Sequence, residues 1–414
     1  MNNSISLELV REIEKVQLSN DLATEFSIKN RDGIYEISDD YVKQSAMKDL
    51  GLSEEEFDLQ FAEVLTRKVY PKSKYQNRSF HHTFTLLWDN VDSITRNHYK
   101  KKYKSFPVEV ASAYTGFINA QIISGKNKSE FAIIFDETTI VLSQLLSRIY
   151  VQTIPFIKQN NGSYYMSLDD SDIINRINTP DNKFIIGLFD LIMSLITAGL
   201  PCAAEQHYRP SFKEAEGNAI WIKNSFDLFL MAHEYGHMHL NHFEDNRKKD
   251  LYETNLFSQM CEFEADRFAM EIVVRDSLEK QLSPFFAIVG SLLFFEYQLL
   301  IERCLYFFLF GKDIREEQDY WIGFRDLEIG MSTHPHALIR KDNLLQFLKN
   351  SDLHETRYID VDDIERFFNN VSNIFWDKSF DDFKDYYRKI KIHPIWDRIS
   401  NDIIAKKEYG SKHS

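Results

Sequence analysis

Two histidines and a glutamate within five residues, His233, Glu234 and His237, place the strongest constraint on how this chain folds. On an α-helix, residues i and i+4 lie on one face, so both imidazoles can reach a single metal ion. Glu234 lies about 100° around the helix axis from His233, where its carboxylate can hold a water bound to that metal. The segment therefore predicts a helix that carries half of a metal site.

Apolar residues around this motif predict which face of the helix is buried. Asn224 or Ser225 can cap the helix at its N-terminus. A stripe with steps of three and four residues follows: Phe226, Phe229, Leu230, His233, His237 and Leu240. Both imidazoles are thus expected on the buried face, where a metal ion would satisfy nitrogens that are costly to bury unpaired. Gly236 in mid-helix costs about 1 kcal/mol relative to Ala, which indicates close approach of another backbone.

A third metal ligand is expected on a second helix, because a catalytic zinc usually has three protein ligands and a water. After a polar stretch at 241–254, Glu262 and Asp266 are i, i+4 partners on one helix face. We predict that Glu262 is the third ligand. Asp266 is expected to accept a hydrogen bond from an imidazole N–H and so fix its tautomer. The small side chains of Ala265 and Ala269 would let the two helices approach closely.

The H-E-x-x-H segment at His233 and the E-x-x-x-D segment at Glu262 together resemble the gluzincin metallopeptidases. In that group a glutamate on a following helix is the third zinc ligand. The resemblance implies a zincin-like core of the α+β class, predominantly helical, with a small mixed β-sheet beside the two metal-bearing helices. It also implies one zinc ion held by His233, His237 and Glu262, with Glu234 as the general base that activates a water.

One similar family contains the heat-shock membrane protease HtpX and the CAAX prenyl proteases. Its E-F-x-A-D helix is matched by Glu262–Asp266, and its T-H-P-x-x-x-x-R motif by Thr333–Arg340. Its N-A edge-strand signature is matched by Asn119 and Ala120. This resemblance implies that an edge strand at these two residues binds the substrate.

A second similar family is the ImmA/IrrE-like family, which cleaves or regulates transcriptional repressors. It carries H-E-x-G-H with a trailing histidine, like His242 here, and an E-x-E-A-N-x-F-A-x-E helix. Residues Glu262–Glu271 match that helix, except that Asp266 replaces the asparagine. The interval of 25 residues from His237 to Glu262 favours this family. We expect His242, like His239, to face solvent or lie in a loop rather than bind metal.

His334 and Pro335 indicate a further catalytic side chain. Proline suits the first turn of a helix, so His334 is expected at or before a helix start with its side chain free to reach the metal. There it could donate a hydrogen bond to the oxyanion of a tetrahedral intermediate. Arg340 is expected to orient the carboxylates of the second helix or the substrate backbone. A second His-Pro pair, at His393, is a rival that lacks the preceding threonine.

Charge and cysteine content argue against several classes of protein. The 63 acidic against 49 basic residues give a net charge of −14, which argues against a general nucleic-acid or anionic-membrane surface. The three cysteines, Cys202, Cys261 and Cys304, show no C-x-x-C spacing, so a disulfide framework or cysteine zinc site is not expected. Met1–Val10 lacks the pattern of a secretory signal. A reducing, cytoplasmic location is predicted.

Two apolar segments are weighed as membrane spans. Phe184–Leu200 is interrupted by Asp190, and Pro284–Ile301 carries Glu296. Both are near the lower length limit for a span, and a central acid costs several kcal/mol in lipid. We predict buried helices of a protein core, while membrane contact stays open as an alternative.

Local patterns predict three regions. Residues 1–105 are expected to be mostly helical and 346–414 to form a C-terminal helical cap. Residues 106–345 are expected to form the metallopeptidase domain, which the gluzincin resemblance implies is zincin-like. Within the middle region the predicted elements are strands at Val108–Ser124 and Phe131–Phe135 joined by a turn, a helix at Thr138–Val151 and a short strand at Ala219–Ile222.

These features predict a zinc metalloendopeptidase that acts on a protein or peptide substrate. Glu234 would act as general base, His334 would assist at the oxyanion, and the strand at Asn119 and Ala120 would bind substrate by strand addition. One alternative is a non-catalytic, zinc-stabilised regulator linked to repressors or stress. Glu234 argues against it, since structural zinc needs no base. A membrane-associated protease is another alternative.

Overall fold

The fold was described from a computed structural model. It covers residues 5–19, 21–32, 53–55, 71–114, 119–158, 164–202, 213–243, 251–328, 334–351 and 360–413, with single positions at 44, 47, 208 and 210. The chain is predominantly helical with a small mixed sheet, which confirms the predicted α+β class.

Helices and strands alternate in the first half of the chain. The helices there are α1 (Leu7–Gln17), α2 (Asp21–Arg31), α3 (Arg78–His98), α4 (Glu137–Tyr150), α5 (Asp170–Ile177) and α6 (Phe184–Ala198). The strands are β1 (Val108–Ala113), β2 (Ala120–Ser124), β3 (Phe131–Asp136), β4 (Phe156–Lys158) and β5 (Tyr164–Met166).

From residue 213 onward, every described element of secondary structure is a helix. They are α7 (Lys213–His239), α8 (Leu251–Glu279), α9 (Pro284–Phe310), α10 (Gln318–Glu328), α11 (Ala337–Asn350), α12 (Val361–Tyr386) and α13 (Asp397–His413), with short 3₁₀ turns between some of them. The predicted helix at Thr138–Val151 and the predicted helical C-terminal region are thereby confirmed.

The chain divides into two compact units, and the first comprises Met1–Val141 and Leu230–Asp245. Its three-stranded sheet has the order β1-β3-β2, with β3 parallel to β1 and antiparallel to β2. Every residue of β3 is buried, as a strand covered on both faces requires.

Two helices cover the faces of this sheet. Leu9 and Ile13 of α1 pack on one face, against alanines of β1 and against Ala132 and Ile134 of β3. On the other face, Phe84 of α3 stacks on Phe135 at 4.5 Å between ring centroids. Side chains of a strand alternate between faces, so β3 supplies apolar residues to both layers.

The predicted strand Val108–Ser124 is wrong as a single element. It contains two strands, β1 and β2, and residues 115–118 between them lie outside the described part of the chain. The predicted turn before β3 is confirmed: Lys128 adopts φ 52° and donates its backbone N–H to Gly125. A run of β-forming residues does not reveal where the chain reverses, because the strand pattern is the same in both directions.

The motif helix α7 begins at Lys213, so the predicted cap at Asn224 or Ser225 and the predicted strand Ala219–Ile222 are both wrong. Three buried residues at helical spacing extend the apolar stripe upstream of Phe226: Ala215, Ala219 and Ile222. Gly290 of α9 explains the local packing, since a Cβ there would lie 2.4 Å from the carbonyl oxygen of Ile222. Tertiary packing outweighs the β propensity of a four-residue run.

The second unit comprises Leu142–Phe229 and Asn246–Ser414, and α9 runs through its core. Among the described helices, α9 is the one that is long and apolar enough to cross a membrane by length and composition, and 78% of its most apolar window is buried. Its charged residues are paired: Glu296 with Lys341, Glu302 with His336 and Arg303 with Asp313. Burial of α9 and α6 agrees with the prediction of core helices. The predicted domain boundaries near 105 and 345 stay predictions.

Candidate metal centre

The two histidines of the motif lie on one face of α7 with their rings turned toward each other. The Nε2 atoms of His233 and His237 are 3.2 Å apart. His233 is buried, and His237 is half-buried. With Zn–N bonds of about 2.0–2.1 Å, two nitrogens of a tetrahedral site lie about 3.3–3.4 Å apart. The observed separation therefore suits two ligands of one metal ion.

The stripe of apolar residues that leads to this pair is buried as predicted, with one exception. Phe226, Phe229 and Leu230 are buried, whereas Leu240 lies just beyond the helix end and is 38% exposed. Glu234 is also buried, with 7% of its surface exposed. Glu234, which directly follows His233 in sequence, thus lies in a largely water-excluded environment.

Helix α8 carries Glu262 and Asp266, and both carboxylates are buried. Arg340 of α11 donates to both oxygens of Asp266, from Nε at 2.8 Å and from Nη2 at 2.6 Å. Its Nη1 lies 3.4 Å from Oε2 of Glu262. The bidentate pair fixes the orientation of Arg340 relative to Asp266. It also leaves the positive charge of Arg340 beside Glu262.

His334 lies before helix α11, and its Nδ1 is 3.1 Å from Oε1 of Glu262. Its side chain is 63% exposed. The residue that caps α11 is His336, which accepts from the backbone N–H of Leu338 and contacts Oε2 of Glu302 at 2.6 Å. The structure thus brings His334 to the carboxylate of Glu262, while its assistance at an oxyanion stays a prediction.

The rival histidine, His393, has a local structural setting. Its side chain caps the short helix Pro394–Trp396, and its ring lies against Gly199. Its backbone N–H donates to the carbonyl of Ile196 at 2.7 Å. These contacts give His393 a structural role, and the preference for His334 as the catalytic histidine stays a prediction.

One group of potential ligands combines the two histidines with the glutamate. One ligand atom each from His233, His237 and Glu262 lies within 4.8 Å of the others, and no second such group of His, Cys, Asp or Glu occurs in the described part of the chain. Two imidazoles and a carboxylate are a donor set that zinc accepts, with a fourth position left for water. This group could hold a metal ion.

The predicted substrate-binding residues lie at the start of β2. Asn119 is exposed and accepts a hydrogen bond from the backbone N–H of Asp136 at 3.0 Å. Ala120 is buried and pairs with Phe135. Within the described sheet β2 is an edge strand, since β3 is its one neighbour there. This placement agrees with a strand edge, and substrate binding stays a prediction.

Tyr235, inside the motif, is anchored by a residue that the sequence did not indicate. Its hydroxyl donates to Oδ1 of Asp92 on α3 at 3.0 Å, and its ring lies 4.9 Å from that of Trp88. Asp92 also accepts from Tyr103 and Arg96. Burial, followed by the Asp92 carboxylate, raises the pKa of Tyr235, so the hydroxyl keeps the proton that it donates. Through Asp92 and Trp88, helix α3 thereby fixes the position of Tyr235 in the H-E-x-x-H segment of α7.

Replacing Tyr235 with Phe should lower the free energy of unfolding by about 1.5–3 kcal/mol, because a hydrogen bond to a charged group is lost while the ring packing remains. Urea denaturation of the wild type and the variant measures the difference. Tyr103→Phe is the matched control: it removes a hydroxyl from the same Asp92 at a more exposed position and should have a smaller effect. Equal stability of Tyr235→Phe and wild type would contradict this anchoring role.

Comparisons with known protein families, curated proteins and solved structures found no match to this chain. The interpretation of the metal centre therefore depends on the chemistry and geometry of its own residues.

Proposed function

We propose that this chain is a zinc-dependent metalloendopeptidase that hydrolyses internal peptide bonds. The observation that carries the proposal is the convergence of His233, His237 and Glu262, whose ligand atoms lie within 4.8 Å of one another. Glu234, the residue type that peptide hydrolysis at such a site requires, directly follows the first of these ligands.

The roles of the residues follow from their chemistry. Zinc bound by the three ligands would supply Lewis acidity, which polarises a carbonyl and lowers the pKa of a water. Glu234 would accept a proton from the attacking water and pass it to the leaving amine. Arg340, which is itself held by Asp266, would help to hold the carboxylate of Glu262 in place. His334, next to that carboxylate, is the proposed donor to the developing oxyanion.

The proposed substrate is a protein or peptide in extended conformation. Strand β2 offers an edge to which an extended segment can add by backbone hydrogen bonds. Asn119 and Ala120 lie at the start of that strand. Since the net charge of −14 disfavours nucleic acid, no nucleic-acid partner is proposed, and the location proposed for the protein is the cytoplasm.

The gluzincin resemblance of the motif pair supports the same reaction. The H-E-x-x-H and E-x-x-x-D segments are similar to those of the HtpX and CAAX prenyl protease family and of the ImmA/IrrE-like family. A non-catalytic zinc regulator on the same scaffold is the second candidate, because its metal ligands would be identical. Burial of Glu234 beside the ligands favours the enzyme, since a structural zinc needs no base.

The metal is tested with Glu262→Gln and its matched control Glu264→Gln. Glu264 lies two residues along the same helix and is exposed. The purified wild type should contain about one zinc per chain, as three protein ligands and a water predict. Glu262→Gln should weaken zinc binding by more than about 100-fold, since even residues that only support a ligand cost about 10–100-fold. Glu264→Gln should bind zinc like the wild type.

Metal analysis and competition with a chromophoric chelator measure both quantities. A wild type that binds no zinc, or a Glu262→Gln variant that binds zinc normally, would contradict the proposed site. Equal losses in Glu262→Gln and Glu264→Gln would show that the effect is not specific to the ligand.

A further inference from the structure

Helix α7 ends in a turn that folds the chain back over its last residues. Asn241 adopts φ 67°, the left-handed region that asparagine tolerates better than most residues. The backbone N–H of His242 donates to the carbonyl of His237 at 3.0 Å, and that of Asn241 to the carbonyl of Met238 at 3.1 Å. This pair of hydrogen bonds is a Schellman motif, which reverses the chain at the helix end.

The reversal places the side chain of His242 against the last turn of its own helix. The Nδ1 atoms of His237 and His242 are 2.9 Å apart, and the two rings meet edge to face with centroids separated by 5.0 Å. His242 is half-buried. It lies in a turn, as expected, but it does not simply face solvent. His239, the other histidine expected to face solvent or lie in a loop, is also half-buried and packs edge-on against Tyr99.

Metal binding by His237 would determine which of the two Nδ1 atoms, that of His237 or that of His242, carries the proton of their hydrogen bond. His237 directs Nε2 toward Nε2 of His233, so Nε2 is the atom that would bind the metal through its lone pair. A neutral imidazole carries one N–H, which must then lie on Nδ1 of His237. At 2.9 Å the acceptor is Nδ1 of His242, and the proton of a neutral His242 lies on its Nε2.

We infer that His242 is a positioning residue for the metal centre: its Nδ1 accepts the Nδ1–H of His237 and thereby fixes the tautomer and ring orientation of that ligand. The inference rests on the proposed metal site and assigns one of its supporting residues. Histidine ligands usually donate their second N–H to a carboxylate, a backbone carbonyl or water, and loss of such a partner weakens metal binding. Here a second imidazole takes that place.

The five-residue spacing has a geometric reason. A residue five positions after His237 on a continued helix would lie about 140° around the axis, away from the ring of His237. The left-handed conformation of Asn241 ends the helix and brings His242 back to that ring. The support for His237 therefore depends on a helix stop as well as on a second histidine.

Two replacements of His242 separate hydrogen bonding from packing. His242→Phe keeps an aromatic ring but removes the acceptor. His242→Asn keeps an acceptor, since its Oδ1 lies near the position of Nδ1. The matched control is His239→Phe, at a half-buried histidine of the same helix end whose aromatic contact with Tyr99 a phenylalanine can keep. The full-length protein is used throughout.

Zinc affinity, measured by chelator competition, should fall about 10–100-fold in His242→Phe. It should stay within a few-fold of wild type in His242→Asn and be unchanged in His239→Phe. Loading with Co²⁺ gives a second measurement: the visible absorption of the bound ion should shift in His242→Phe and be restored in His242→Asn. Circular dichroism verifies folding, and His242→Ala replaces His242→Phe if the latter does not fold.

Three results would overturn the inference. Normal zinc affinity in His242→Phe would show that the contact does not support the ligand. Equal weakening in folded His242→Phe and His242→Asn would show that the hydrogen bond is not the cause. Absence of zinc binding in the wild type would remove the inference together with the proposed function, whereas the first two results leave that function standing.

Discussion

Replacing Glu234 with Gln is expected to abolish peptide hydrolysis while the variant stays folded and keeps its zinc. Glutamine has nearly the size of glutamate, so the buried position is not overfilled. Glutamine cannot accept a proton from the attacking water. Loss of a general base costs about 10²–10⁴-fold in rate, which would bring a slow peptidase to background. The loss should appear in kcat, since the three predicted metal ligands are unchanged.

The measurement compares the peptides released from a cell lysate by wild type and by Glu234→Gln, with zinc content determined on the same samples. Glu264→Gln again serves as control, because it removes one carboxylate from an exposed position. If the lysate yields the same peptides with both proteins while both hold zinc, the enzyme is excluded and the non-catalytic regulator is favoured. If Glu234→Gln also loses zinc, the carboxylate supports the metal rather than the reaction.

The group of potential ligands was predictable from sequence because the spacing of its residues within each helix places them on one face. His233 and His237 share a helix face by their spacing, and Glu262 and Asp266 do so on the next helix. A catalytic zinc usually has a third protein ligand beside two imidazoles, and Glu262 is the buried carboxylate that lies close enough to be that ligand. Periodicity and coordination number together led to the group that the structure brings within 4.8 Å.

The supporting contacts were not predictable, since each depends on geometry that no local pattern contains. Tyr235 and Asp92 are separated by 143 residues in sequence. The contact of His242 with His237 requires the left-handed residue Asn241, and most sequences around a helix end allow several stops. The true start of α7 depends on close packing against Gly290 of another helix. Tertiary packing decides the first and the third, and the conformation of one residue at a helix end decides the second.

Helix α9 is an example of an apolar segment whose sequence alone does not distinguish a membrane span from a buried core helix. Its composition fits a membrane span as well as a protein core. The distinction lies in its charged residues, because a buried charge is tolerated when it is paired. Glu296 pairs with Lys341 and Glu302 with His336, both partners lying on or next to α11. Two buried acids of α9 thereby hold the helix that carries Arg340.

Removing one member of the Glu296–Lys341 pair should cause the largest loss of stability predicted for this chain. Lys341 Nζ lies 2.8 Å from Oε1 of Glu296, and the side chains are 6% and 4% exposed. Breaking such a pair leaves an uncompensated buried charge and costs about 3–5 kcal/mol. Lys341→Met should therefore lower the free energy of unfolding by that amount, measured by urea denaturation of the full-length protein.

The double variant Glu296→Leu/Lys341→Met shows whether the loss of stability in Lys341→Met comes from an unpaired buried charge or from lost packing of the lysine side chain. With both charges removed, stability should return to near that of wild type or exceed it, because replacing a buried ion pair by apolar side chains is often neutral or stabilising. Lys349→Met is the control on the same helix. Its partners Asp362 and Glu365 are 70% and 35% exposed, and each such exposed pair contributes about 0–1 kcal/mol. A Lys341→Met loss no larger than that of Lys349→Met would mean that water reaches Glu296. A double variant as unstable as Lys341→Met would mean that the lysine side chain stabilises α11 by its packing and not by its charge.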